Sequence, residues 1–164
     1  MRARGSAPMM AGIAAKVRRQ KAFWVLLVCM GLPMMASGQQ AEDLGSFEVH
    51  YSAINTSQLT PDVARAIGVQ RSSSRGLLNL AVLRKQDGQM NEAIPARIRV
   101  EAVNLVGQRR EVALNEVREE DAIYYLGTFR FHNEERVTFH VEVEPLDRPG
   151  TARQFRFQQQ FFVY

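Results

Sequence analysis

The chain has 164 residues, 46% of them apolar, and a formal charge of +4 that is unevenly spread. Six of its 21 Lys and Arg fall within residues 1–21, where there is no acid, and the remainder carries 15 bases against 17 acids. The length fits one core better than two, and a slightly acidic remainder without a basic stripe argues against a nucleic-acid partner.

Arg2, Arg4, Lys16, Arg18, Arg19 and Lys21 precede an apolar run from Ala22 to Met30, which continues through Leu32, Met34 and Met35 and closes on Ala36, Ser37 and Gly38. A positive segment, a short apolar segment and small residues are the three parts of a secretory signal peptide. Residues 1–38 are therefore expected to be a leader cleaved before Gln39, with a single exported domain over 39–164 and a periplasmic destination. If retained, the leader would be an N-terminal anchor. Its uninterrupted apolar stretch, however, falls short of the ~20 residues that a bilayer-spanning helix needs, so no membrane span is expected after cleavage. Cys29, the sole cysteine, follows Val28 and not the small residue that a lipid-acceptor cysteine prefers. Without it the domain has no disulfide, no thiolate nucleophile and no zinc–thiolate site, and its core alone must hold it.

The first strand of the domain is read from the period-2 alternation of Phe47, Val49, Tyr51 and Ala53 against Glu48, His50 and Ser52. Thr60-Pro61, with Gly68 downstream, supplies start and stop signals for about two helical turns. A polar loop follows, containing Arg71-Ser72-Ser73-Ser74-Arg75. Leu77 to Arg84, apolar nearly throughout, predicts a central strand covered on both sides, and Asp87-Gly88 predicts a turn. Further strands are expected over Ala96–Asn104, Arg110–Val117, Ile123–Phe131, Val137–Val143 and Ala152–Tyr164. Within them Tyr125, Phe129 and Phe131 share one face, and Phe155, Phe157 and Phe161 point inward. Seven strands joined by short links, with one short inserted helix, predict an all-β fold: an immunoglobulin-like antiparallel β-sandwich. A closed barrel is the competing architecture.

His50, His132 and His140 show no ligand spacing with one another, and a shared site for His50 and His140 would require neighbouring strands. Glu119, Glu120, Asp121, Glu134 and Glu135 lack the Asp/Asn-plus-glycine spacing of a calcium loop and read as solvated charge. Ser72, Ser73 and Ser74 have no histidine close in sequence, and Gly76 does not complete a Gly-x-Ser-x-Gly elbow. Hydroxyls bonding their own loop are the better reading. Arg71 and Arg75 beside them could grip a carboxylate or phosphate, or simply pair with local acids. At the C-terminus, Phe161 to Tyr164 cannot all face one core, which leaves Phe162 and Tyr164 as a candidate partner surface. The last strand is also a candidate for edge pairing.

The stretch from His50 to Ser57, then Leu59-Thr60-Pro61-Asp62-Val63-Ala64, Arg71-Ser72, Gly76-Leu77-Leu78-Asn79, Ala122-Ile123-Tyr124-Tyr125 and Phe157-Gln158-Gln159-Gln160-Phe161 together resemble an uncharacterised family of exported gammaproteobacterial proteins, domain of unknown function 4426. The likeness departs at Ile67, where the family often carries an aromatic residue. It implies a small secreted β-sandwich and brings no activity, cofactor or catalytic residue with it. The resemblance is densest from Tyr51 to Asn79. Polar residues in that segment add Asn55, Ser72 and Asn79 to Arg71 and Arg75 as candidate ligand contacts. The alternative for Asn55 and Asn79 is that they satisfy backbone groups around the helix.

The expected function is that of a non-catalytic binding or adaptor module for an envelope protein or a small anionic ligand, with no cofactor, metal or catalytic residue assigned. A small hydrolase or metal-dependent enzyme, or a purely structural envelope protein, is the alternative.

Overall fold

Residues 40–86 and 91–164 are described by the computed structural model, so the leader over residues 1–38 and the expected Asp87-Gly88 turn lie outside the described residues. Among the described residues are strands β1 (Gln40–Asp43), β2 (Phe47–Asn55), β3 (Arg75–Arg84), β4 (Glu92–Ala93), β5 (Ala96–Asn104), β6 (Arg109–Glu111), β7 (Leu114–Glu119), β8 (Ala122–Arg130), β9 (Glu135–Pro145) and β10 (Arg153–Phe161). A 3-10 turn, Thr56–Gln58, and helix α1, Pro61–Ala66, stand between β2 and β3. No helix among these residues is long and apolar enough to cross a membrane.

The strands form two antiparallel sheets. One has the order β1-β2-β3-β8-β7, with β4 also on β3, and the other has the order β10-β9-β5-β6. Leaving aside β1 and β4, this is the A-B-E-D sheet facing the G-F-C sheet of an immunoglobulin-like sandwich, with β6 in the place of an added C′ strand. The expected all-β sandwich with a short helix is the observed architecture.

The core lies between the sheets. Val49, Leu78, Leu80 and Val82 face Val100, Phe139, Val141 and Val143, all buried. Each such side chain contributes about 1.5–3 kcal/mol by leaving water, which suits a domain whose sequence provides no disulfide. Tyr125 adds a polar strut between the sheets: its phenolic oxygen accepts the buried Ala96 N–H at 2.8 Å, and its hydroxyl donates to Glu116 at 3.1 Å.

The segment read as one strand, Arg110–Val117, is two. β6 pairs with β5 in one sheet and β7 with β8 in the other, and the chain changes sheets at Val112 and Ala113. Buried Val112 marks the crossing, its N–H donating to the Val100 carbonyl at 2.9 Å. β1 lacks an apolar alternation because its side chains are largely exposed, and it is added through backbone pairing with β2.

Helix α1 begins as the sequence predicts. Thr60 caps it by accepting from Val63 N–H at 3.3 Å, Pro61 occupies the first turn, and Gly68 takes φ +66°, a conformation that suits glycine just past a helix. Leu59, Ala64 and Leu77 form a second small core that seats α1 on the outer face of the larger sheet. That seat buries Leu77 on the second face of β3, whose other outward residues Asn79, Ala81 and Leu83 stay half-buried, so the expected cover on both sides is partial; it also holds the loop of residues 67–74 at one end of the sandwich.

Candidate functional site

At this end β2, β5, β8 and β10 finish while β3, β6 and β9 begin, and it is referred to below as the upper pole. Asn55, which its sequence setting makes look like an exposed loop donor, builds its frame together with Thr56. Asn55 is buried. Its Nδ2 donates to the carbonyls of Ser73, at 3.0 Å, and Phe162, at 3.1 Å, while its Oδ1 accepts from the N–H and hydroxyl of Ser57. Thr56, fully buried, donates its hydroxyl to the Ser72 carbonyl and accepts the Ser72 N–H. One side chain thus joins the 3-10 turn, the serine loop and the C-terminal segment. Asn55 serves backbone groups around the helix.

Above this frame lies a recess of about 160 Å³ lined by Gln70, Ser72, Ser74, Arg75 and Arg130. Arg75 and Arg130 are directly opposite on β3 and β8. None of the ion pairs among the described residues includes either one. Like charges facing each other across strands are destabilising, so the two guanidiniums bring no favourable charge pairing to the fold. The Ser72 and Ser74 hydroxyls are 3.3 Å apart, and Ser72 also accepts from Ser74 N–H. Their partners are each other and their own loop, with no histidine among them, as the structural reading of the serine run expected.

Of the residues singled out in the sequence, Ser72 and Arg75 meet in the recess. Arg71 does not line it; its Nη2 donates to the Ser57 carbonyl at 2.9 Å. Asn79 is four residues along β3 from Arg75, a separation of roughly 13 Å, and lies outside the recess lining. Its Oδ1 is buried and has no hydrogen-bond partner among the described residues. Sequence reasoning missed Arg130. The signal that could have found it is register, since a basic residue closing β8 falls opposite the one opening β3.

Glu135 is likewise not the solvated loop acid it resembles. Its carboxylate accepts from His132 N–H at 2.6 Å, Asn104 Nδ2 at 3.1 Å and Arg110 at 3.4 Å, and Arg110 also donates to the Arg130 carbonyl. Burial pushes Glu135 upward, but the His132 N–H, the Asn104 amide, the His132 ring and the Arg110 charge outweigh it and hold the carboxyl below its ordinary value. A carboxylate depressed in the folded state contributes stability above its unfolded pKa, and that contribution is lost as pH falls through the lower folded value. Glu135→Gln is therefore expected to be less stable than the parent chain at neutral pH, with the difference shrinking below the ordinary glutamate value of 4.5. Urea unfolding at neutral and acid pH measures this, and a pH-independent gap would refute it.

The remaining acids and histidines do not assemble. Glu119, Glu120 and Asp121 sit at the opposite end of β8 from Glu134 and Glu135. His50 and His140 occupy the outer faces of different sheets. Among the described residues, no group of three His, Cys, Asp or Glu is placed to hold a metal ion. A larger cleft of about 720 Å³ crosses the outer face of the smaller sheet between Arg99, Glu101, His140, Glu142 and Arg156. Its lining mixes both signs: Arg99 pairs with Glu142 at 3.7 Å, Glu101 pairs with Arg109 just outside the lining at 2.8 Å, and Glu111 and Arg156 add one charge of each sign. The smaller recess differs in being lined by two arginines and no acid.

The profile of a family described as Domain of unknown function (DUF4426) matches residues 41–164. No curated protein matches the chain. A crystal structure of a family member from Pseudomonas aeruginosa PAO1 is 32% identical, with TM-score 0.65, covering 77% of this chain and 97% of that one. A copper-bound variant of FetP from uropathogenic Escherichia coli strain F11 is 12% identical, with TM-score 0.56, covering 76% and 95%. FetP "as isolated", expressed in the periplasm of E. coli, is 12% identical, with TM-score 0.55, covering 76% and 94%. At 12% identity the likeness is one of fold alone.

Proposed function

The chain belongs to the DUF4426 family, and from that premise we propose that it is an exported, non-catalytic binding module whose Arg75–Arg130 recess takes up an oxyanion, a phosphate or carboxylate group carried by its ligand. The observation that carries this reading is the pair of guanidiniums facing each other without an acid, beside two hydroxyls and the Gln70 amide. Arginine is suited to phosphate and carboxylate because its planar fork donates two parallel hydrogen bonds. Export is supported by the leader's run of bases, apolar residues and small residues, and by FetP, a similar fold, having been expressed in a periplasm.

The test is a nuclear magnetic resonance titration with inorganic phosphate, and with acetate as a carboxylate probe, at low ionic strength. Saturable shifts are expected at the amides of residues 70–75 and 130. Arg75→Ala combined with Arg130→Ala should weaken binding by roughly tenfold or more, while stability stays level or rises by a few tenths of a kcal/mol as the like charges go. A parent chain with no saturable shifts, or a double variant that binds equally well, refutes the reading. A stability loss of about 2 kcal/mol in the double variant would assign the arginines to the fold instead.

A further inference from the structure

The upper pole also carries most of the exposed large apolar side chains. Leu105 and Val106, on the tip of the β5–β6 hairpin, are 75% and 79% exposed, and Phe162, Val163 and Tyr164 are 40%, 38% and 85% exposed; only Leu146, elsewhere, adds to the described set. That all five share one pole follows from register and contact. Asn104 pairs with Val137 near the start of β9, and Phe161 pairs with Glu135. Asn104 bonds Glu135, Asn55 bonds the Phe162 carbonyl, and Val163 N–H donates to Asn133 Oδ1 at 2.9 Å. Around these tips stand Arg71, Arg75, Arg130 and Arg136, none of them in an ion pair among the described residues. Glu134, exposed in the turn between β8 and β9, is an acid at the same pole, while Asp62 and Glu135 are committed to Arg65 and Arg110.

We propose that the upper pole docks on an anionic lipid bilayer, with Leu105–Val106 and Phe162–Tyr164 entering the interfacial layer and a lipid phosphate seated between Arg75 and Arg130. This rests on the oxyanion reading of the recess and names the source of the anion. Two features favour a bilayer over a protein partner. The apolar side chains stand on two separate tips, the β5–β6 hairpin and the segment that follows β10. They are also ringed by uncompensated arginines, the combination that holds a peripheral domain at an anionic surface. Tyr164 at the edge of the patch has the apolar ring and polar hydroxyl that suit the headgroup level.

The test is co-sedimentation of the chain, expressed from its full sequence so that every variant shares one N-terminus, with vesicles rich in phosphatidylglycerol and with vesicles of phosphatidylcholine alone. The parent chain is expected to prefer the anionic vesicles. Leu105→Ser with Val106→Ser, and separately Tyr164→Ser, remove side chains that are mostly solvent-exposed and leave the buried core unchanged. Each is expected to weaken vesicle binding by roughly tenfold, with thermal unfolding and inorganic phosphate binding unchanged. Equal binding to both vesicle types, or tip variants that bind as the parent does, overturns the proposal. Phosphate binding is measured on the same samples, so a failure of docking is distinguished from a failure of the recess.

Discussion

Replacing Asn55 with alanine is expected to lower the free energy of unfolding by about 3 kcal/mol, although the residue looks from its sequence neighbourhood like a loop amide available to a ligand. The loss follows from its bonds. Without the amide, the Ser73 and Phe162 carbonyls lose a donor and the Ser57 N–H loses an acceptor. A buried polar group left without a partner costs about 1–3 kcal/mol, more than the net worth of the bond itself. Asn55→Asp separates the two halves of the role, because it keeps an acceptor for Ser57, has no hydrogen to donate to either carbonyl, and places a charge in a buried site. It should be at least as damaging as alanine. Urea unfolding at neutral pH measures both variants, and a loss below about 1 kcal/mol for alanine would show that water replaces the amide and that Asn55 is not the link.

This bond pattern also shows why part of the molecule was legible in the sequence and part was not. Strands β2, β5 and β9 largely alternate apolar and polar residues because one face of each is buried, and a half-buried sheet carries that signature residue by residue. The caps of α1 are local too, with Thr60, Pro61 and Gly68 acting within a few positions of one another. The change of sheet at Val112 and Ala113 leaves no such mark, since the segments on both sides are extended and only their partners differ. The recess is illegible for the same reason. Arg75 stands in a loop motif, but Arg130 joins it through the pairing of β3 with β8, and Asn55 donates to a carbonyl 107 residues away. Glu135 shows the converse error, an acid in a polar turn whose three donors come from different elements.

Gly76 gives the second large effect, and it ties the core to the site. It lies directly opposite Phe129 in the β3–β8 register, and a Cβ there would meet the ring at 2.2 Å. The ring has little room to swing, because its centroid lies 5.0 Å from Phe139, 5.1 Å from Phe161 and 6.4 Å from Phe131. Gly76→Ala is therefore expected to cost about 2–3 kcal/mol through overpacking. Phe129→Leu vacates the space that the methyl needs, so the combined variant should fall short of the summed losses by about 1 kcal/mol or more. Additivity within about 0.5 kcal/mol would mean that the methyl is accommodated by backbone movement and not by the ring. Arg75 precedes Gly76 and Arg130 follows Phe129, so a ring displaced by the methyl shifts the two strands that set the spacing of the guanidiniums. Phosphate affinity should then fall in Gly76→Ala and recover in the double variant, although neither residue touches the recess.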